Sequence, residues 1–271
     1  MLERKNGAAY GGNQIQRMML CASHSPVLDY ADESREPVQR ILAAFDDVQE
    51  RIRRFDPDLI VMFGVDHYGG HSMNCMPSFT IGVENVAAIA DVGGRPGPLK
   101  VPKELAVDAV YYVRNGGVDV AVSYSMDVDH GFSQLLGRAA GGVDLYPILP
   151  IFVSCIQIPF TPFARARALG EVIGNFIDEK HSDKRVLYMG TGGLSHDPAM
   201  LFPPIDSVGE EWKPYHLHGK AQSIVPQQQW IDYQIEAHKV GAQIMHEAPH
   251  DPAQFGVNPD ILVGESYRQM T

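Results

Sequence analysis

Leu59-Ile60-Val61-Met62-Phe63-Gly64-Val65-Asp66-His67-Tyr68 is the stretch that decides the fold. Opened by Asp56-Pro57-Asp58 and closed at Gly64, its unbroken apolar, β-branched run reads as a strand buried on both faces, the kind found in helix-covered sheets. Asp66-His67 stands directly beyond the carboxyl end, where ligands collect in open α/β sheets.

The same arrangement recurs along the chain. Met18-Met19-Leu20-Cys21-Ala22 runs into Ser23-His24-Ser25-Pro26, and an apolar run over 118–124 is followed by Val128-Asp129-His130-Gly131. Val186-Leu187-Tyr188-Met189 leads to Gly192-Gly193-Leu194-Ser195-His196. These strands are expected to aim His24, His67, His130 and His196 at one rim.

Helical periodicity fills the gaps. Residues 32–55 carry Val38, Ile41, Leu42, Phe45, Val48 and Ile52 on one face, 102–115 carry Leu105, Ala106, Ala109, Val110 and Val113, and 163–179 carry Leu169, Val172, Ile173, Phe176 and Ile177. A loop and short strand are expected over 74–83, a long surface turn at Gly93-Gly94-Arg95-Pro96-Gly97-Pro98, a plain turn at Gly141-Gly142 and a strand over 148–156. The alternation implies one α/β domain with a mainly parallel or mixed central sheet between helical layers and a site at the strand carboxyl ends. From Phe202 onward the periodicity weakens, with one helix expected over 230–245.

Composition narrows the function. With 271 residues, 45% hydrophobic and 20% charged, the chain has ample core for a globular domain. A formal net charge of -11 argues against nucleic-acid and anionic-membrane partners, since both draw on surplus Lys and Arg. A small anionic substrate held by local cations stays compatible with it. The 3 cysteines, Cys21, Cys75 and Cys155, are odd in number and widely spaced, so reduced, buried thiols in a cytoplasmic protein are expected. Residues 1–17 are polar, lack an apolar signal core and read as a flexible extension. No apolar run approaches the roughly 20 residues that span a bilayer.

Among 11 histidines some are incidental, and any one at a strand end is as readily a loop hydrogen-bond donor as a functional group. Several at equivalent positions favour function, because paired imidazoles with a carboxylate form the facial site of non-haem Fe(II) oxygenases. Imidazole also moves protons near neutral pH. His24 and His67 follow their strands most closely, which suits rigid metal binding, whereas the longer Gly-flanked turns of His130 and His196 suit acid–base work. Asp66 and Asp129 are equally compatible with orienting those imidazoles and with capping turns.

Other motifs carry less. His246-Glu247-Ala248-Pro249-His250 spells the HExxH zinc pattern, but Pro249 breaks the helix that pattern needs. His216-Leu217-His218 lies in a polar stretch, and Gly190-Thr191-Gly192-Gly193 lacks the lysine of a phosphate loop. No Gly-x-Ser-x-Gly elbow is present.

Together Cys21-Ala22-Ser23-His24-Ser25-Pro26, Gly64-Val65-Asp66-His67-Tyr68, Val128-Asp129-His130-Gly131 and Gly192-Gly193-Leu194-Ser195-His196-Asp197-Pro198 resemble the class III extradiol catechol dioxygenases, in the same order and with similar spacing. The resemblance implies that His24 and His67 ligate iron, Fe(2+), and that His130 and His196 are the acid–base pair. It implies ring opening beside the diol of a 3-substituted catechol bearing a carboxylate side chain, with O2 as co-substrate, in aromatic catabolism. A cytoplasmic homo-oligomer is expected. Arg95, Arg165 and Arg167 are candidates for the substrate carboxylate.

The family's third ligand is a glutamate in a C-terminal helix, and no glutamate here matches that motif; the role is not carried onto Glu265. Residues 18–271 read as an extradiol dioxygenase-like domain, and the missing match is equally compatible with a shortened C-terminal end, with another carboxylate as third ligand and with weaker iron binding. The rival reading is an inactive relative of the fold whose cleft binds a peptide or protein.

Overall fold

A computed structural model describes residues 16–24, 27–31, 33–65, 70–71, 75–89, 94–154 and 161–192. At its centre is a mixed seven-stranded sheet. The strands are β1 (Arg17–Ala22), β2 (Leu59–Gly64), β3 (Phe79–Ala88), β4 (Gly97–Pro98), β5 (Ala121–Val128), β6 (Ile148–Val153) and β7 (Val186–Thr191). They run in the order β1-β7-β2-β6-β3-β4, with β5 paired to β3. β1, β7, β2 and β6 are mutually parallel, so their carboxyl ends share one rim.

The expected double burial of the central strand is met, and alternation of side chains across the pleat sorts it into two cores. Leu59 and Val61 of β2 face one layer, where α3 (Lys103–Asn115) and α5 (Phe163–Lys180) supply Ala106, Ala109, Val113, Leu169, Ile173 and Phe176. Ile60 and Met62 face the other, against Ile52 of α2 (Glu36–Phe55) and Phe132 and Leu135 of α4 (His130–Leu135). Residues Leu136–Ala140 continue α4 as a π-helical turn. A short helix, α1 (Val27–Tyr30), follows β1.

Local chemistry sets the ends of these helices. α2 begins with proline in its first turn and stops where Asp56 adopts a left-handed conformation (φ 49) and donates its N–H to Ile52 O at 2.8 Å. α3 stops at Gly116-Gly117, where Gly117 has φ 82.

Several expectations needed correction. The strand expected over 118–124 lies at Ala121–Val128, and because β3 is antiparallel to β6 and β5 is parallel to β3, it runs against the four parallel strands. His130 therefore does not reach the rim as the end of a parallel strand. Instead the register of β3 and β5 shifts between Gly82 and Asn85, and beyond it Val86, Ala88, Met126 and Val128 join the second core with Ile60 and Met62. The ribbon thus turns over that face of the sheet and delivers α4 back to the parallel strands. Glycine is required at the bend, since a Cβ at Gly82 would lie 2.5 Å from Val86 Cγ2.

Likewise β3 is longer than expected, and part of the Gly93–Pro98 stretch pairs with it as β4 rather than forming a plain surface turn. The turn read at Gly141-Gly142 follows a helix that went unforeseen. Cys21 and Cys75 are free but exposed, not buried: β1 pairs only with β7 among the described residues, and Met19 and Cys21 alternate onto its outer face. Arg17, assigned by sequence to the extension, is already in β1; residues 1–15 and everything beyond 192 lie outside the described residues. Among the described residues no helix is long and apolar enough to cross a membrane.

Candidate active site

The rim formed by β1, β7 and β2 is where the described histidines meet. Ala22 pairs with Thr191, and His24 follows β1 with only 4% of its surface exposed. Its Nδ1 is hydrogen-bonded to Thr191 Oγ1 at 2.6 Å, so the end of one strand fixes the ring carried by the end of its neighbour. His130 is equally buried, at 7%, and its ring lies edge-on to that of His24 with centroids 5.6 Å apart. Two polar rings hidden from water in one place mark a built site, because burial of imidazole is costly unless it is partnered.

His130 does not stand on a mobile glycine turn. It is the first residue of α4, and Asp129 caps that helix by accepting a hydrogen bond from Gly131 N at 2.8 Å. Capping is thus one role that Asp129 fills. The helix is pressed onto the end of β2. A Cβ at Gly64 would sit 2.5 Å from Phe132 Cε2, and one at Gly131 would sit 2.8 Å from Val65 O. The backbone that continues into Asp66-His67 is therefore in contact with the residues flanking His130, although His67 and His196 themselves lie outside the described residues.

The glycine contact carries a stability prediction. Gly64→Ala drives a methyl into a ring that is 1% exposed and has no space to swing, and overpacking of this kind costs about 1–3 kcal/mol. Thermal unfolding should show a Tm lowered by several degrees. An unchanged Tm would mean that α4 is not seated on β2 as described.

Three features of the site had no signal in the local sequence. Thr191 lies in Gly190-Thr191-Gly192-Gly193, a stretch whose letters mark no partner for His24. Asp29, Gln134 and Arg138 join across the chain, with Asp29 Oδ1 accepting from Arg138 Nε at 3.1 Å. His71 stacks on Phe152 with centroids 4.2 Å apart, and its Nε2 is hydrogen-bonded to Thr80 Oγ1 at 2.9 Å, along the same rim.

The arginine candidates are scattered. Arg95 lies over Gly137 with Nη1 3.5 Å from Gly141 O, and Arg167 pairs with Glu171 on the exposed face of α5. Arg165 borders an open groove of about 480 Å³ with Arg114, Asp119 and Thr161. That groove lies at the β3 and β5 end of the sheet and includes neither His24 nor His130. The HExxH stretch and His216-Leu217-His218 fall outside the described residues. Among the described residues no group of three or more His, Cys, Asp and Glu side chains converges on a metal position.

A family profile described as the catalytic LigB subunit of aromatic ring-opening dioxygenase matches residues 18–218. The chain belongs to this family.

The match on this LigB-family chain spans His24, His67, His130 and His196 together. Its relatives include proteins named 2,3-dihydroxyphenylpropionate/2,3-dihydroxicinnamic acid 1,2-dioxygenase from Escherichia coli strain K12 and from Escherichia coli O157:H7 (strain EC4115 / EHEC). Each is 44% identical over 178 residues, which is 66% of this chain and 56% of the relative. The aligned part thus covers little more than half the length of those relatives. His24 also suits a metal ligand, since a histidine whose Nδ1 is held by a hydroxyl is oriented much as metal-binding histidines are.

Proposed function

We propose that this LigB-family protein is an Fe(II)-dependent extradiol dioxygenase acting on a 3-substituted catechol such as 2,3-dihydroxyphenylpropionate or 2,3-dihydroxycinnamate. The observation that carries the reading is the buried His24–His130 pair on the rim of β1, β7 and β2, inside the family match. In this reading His24 and His67 hold the iron, His24 through Nε2 because Nδ1 is engaged by Thr191. Iron, when bound, brings catechol and O2 together and polarises both.

The chain's own residues do the rest. His130, rigid at the head of α4, takes the proton from a catechol hydroxyl as the substrate settles and returns a proton as the ring opens, with His196 as its counterpart. Burial of His24 and His130 keeps bulk water from competing with these transfers. Both atoms of O2 enter the product, which carries a new carboxylate and a keto group conjugated with a diene. The substrate's carboxylate needs a local cation against the net charge of -11.

The reading extends to aromatic catabolism in the cytoplasm and to a homo-oligomer; the free thiols Cys21 and Cys75 are in keeping with a reducing compartment. Protein reconstituted with Fe(II) without air and mixed with 2,3-dihydroxyphenylpropionate should consume O2 and turn yellow when air is admitted. No uptake with any catechol, from protein that also retains no iron, would favour the partner-binding relative instead.

A further inference from the structure

Just beyond His24, the carboxylate of Asp29 in α1 gathers donors from separate parts of the chain. Oδ1 accepts from Nε and Nη2 of Arg138, and Oδ2 accepts from Gln134 Nε2 and from Gly94 N, both at 3.0 Å. Gln134 is in α4, the helix headed by His130, and Arg138 is in the π-helical turn that continues it. One helical turn separates them, so both reach the same carboxylate; π-helical turns gather at functional sites.

Gly94 approaches with φ 76, and a Cβ there would sit 2.3 Å from Ser133 Oγ, so only glycine admits this contact. The cluster is sheltered, with the Arg138 and Asp29 side chains 28% and 19% exposed and Gln134 at 3%. Burial pushes the Asp29 carboxyl up, while the hydrogen bonds from Gln134, Arg138 and Gly94 outweigh it and hold the group below its ordinary value.

An apolar contact between α1 and α4 would tolerate sliding. A carboxylate with all its donors in place specifies one arrangement, and removing a partner leaves a sheltered charge uncompensated. We propose that Asp29, with Gln134 and Arg138, is a positioning clamp that fixes the chain carrying His24 against the helix carrying His130, and so sets the metal affinity of the site without touching the reacting atoms. The clamp rests on the iron-site reading given above.

Four single variants of the full chain test it: Asp29→Asn, Arg138→Met, Arg138→Lys, and Arg185→Met as a control that breaks a more exposed ion pair with Asp56 and Asp58 away from the histidines. Asp29→Asn and Arg138→Met should each weaken Fe(II) binding about 10–100-fold, the range for groups that orient metal ligands. Combined, they should do little more than either alone, because they open the same clamp. Arg138→Lys should restore part of the loss.

Hydrogen exchange on the metal-free protein should quicken at both 27–31 and 130–135 in the clamp variants, and at neither in the control. Clamp variants that bind Fe(II) as tightly as the control, or loosening of only one segment, would overturn the proposal. Wild-type protein that takes up no Fe(II) would instead sink the dioxygenase reading, and is told apart because exchange at both segments still responds to the clamp substitutions.

Discussion

His130→Gln is expected to lower kcat by about 10²–10⁴-fold while leaving iron content at the wild-type level, the range lost when a positioned acid or base is removed. Glutamine fills similar space and forms hydrogen bonds but cannot carry a proton between states near neutral pH. The backbone should not respond. Asp129 still caps α4, and Phe132 still packs against Gly64. Oxygen uptake under saturating catechol, alongside iron per protomer, separates the outcomes. Loss of iron together with activity would make His130 a ligand rather than the proton carrier and would reverse the roles assigned here.

The second large effect is expected at His24. His24→Ala should abolish iron retention and turnover together, and added Fe(II) should restore neither. Thr191→Val is the informative companion, because it spares the ring and removes only the hydroxyl that holds Nδ1 at 2.6 Å. Weakened Fe(II) binding of about 10–100-fold, recovered at high Fe(II), is expected from loss of such an orienting partner. Iron at full occupancy in His24→Ala would place the metal elsewhere.

These predictions show which parts of the molecule can be read from sequence. The buried run of β2 and the apolar stripes of α2, α3 and α5 were recoverable, because a two-sided strand and a 3.6-residue period leave patterns within a short window. The resemblance to the family was likewise legible in short histidine motifs.

The direction of β5 was not recoverable. Pairing with β3 and the turn of that ribbon over the sheet depend on an irregularity at 82–85, which has no periodicity. The helix from His130 was hidden by Gly131, Ser133 and Gly137, which look like loop punctuation. Yet Phe132, Leu135, Leu136, Ala139 and Ala140 fall at helical spacing, and all of them are buried. Cys21 looked buried because its neighbours are apolar, whereas Met18, Leu20 and Ala22 pack on the second core and Cys21 alternates with them onto the exposed face of β1. The Asp29–Arg138 pair spans a separation of 109 residues, and no local pattern predicts such a meeting.

The shared iron site can be tested most directly by an anomalous difference map, recorded at the iron edge from crystals of anaerobically reconstituted protein. One strong peak within ligating distance of His24 and His67, with His130 and His196 beside it, is the predicted result. A peak remote from His24, or full iron content with His130 turned away from the metal, would contradict it.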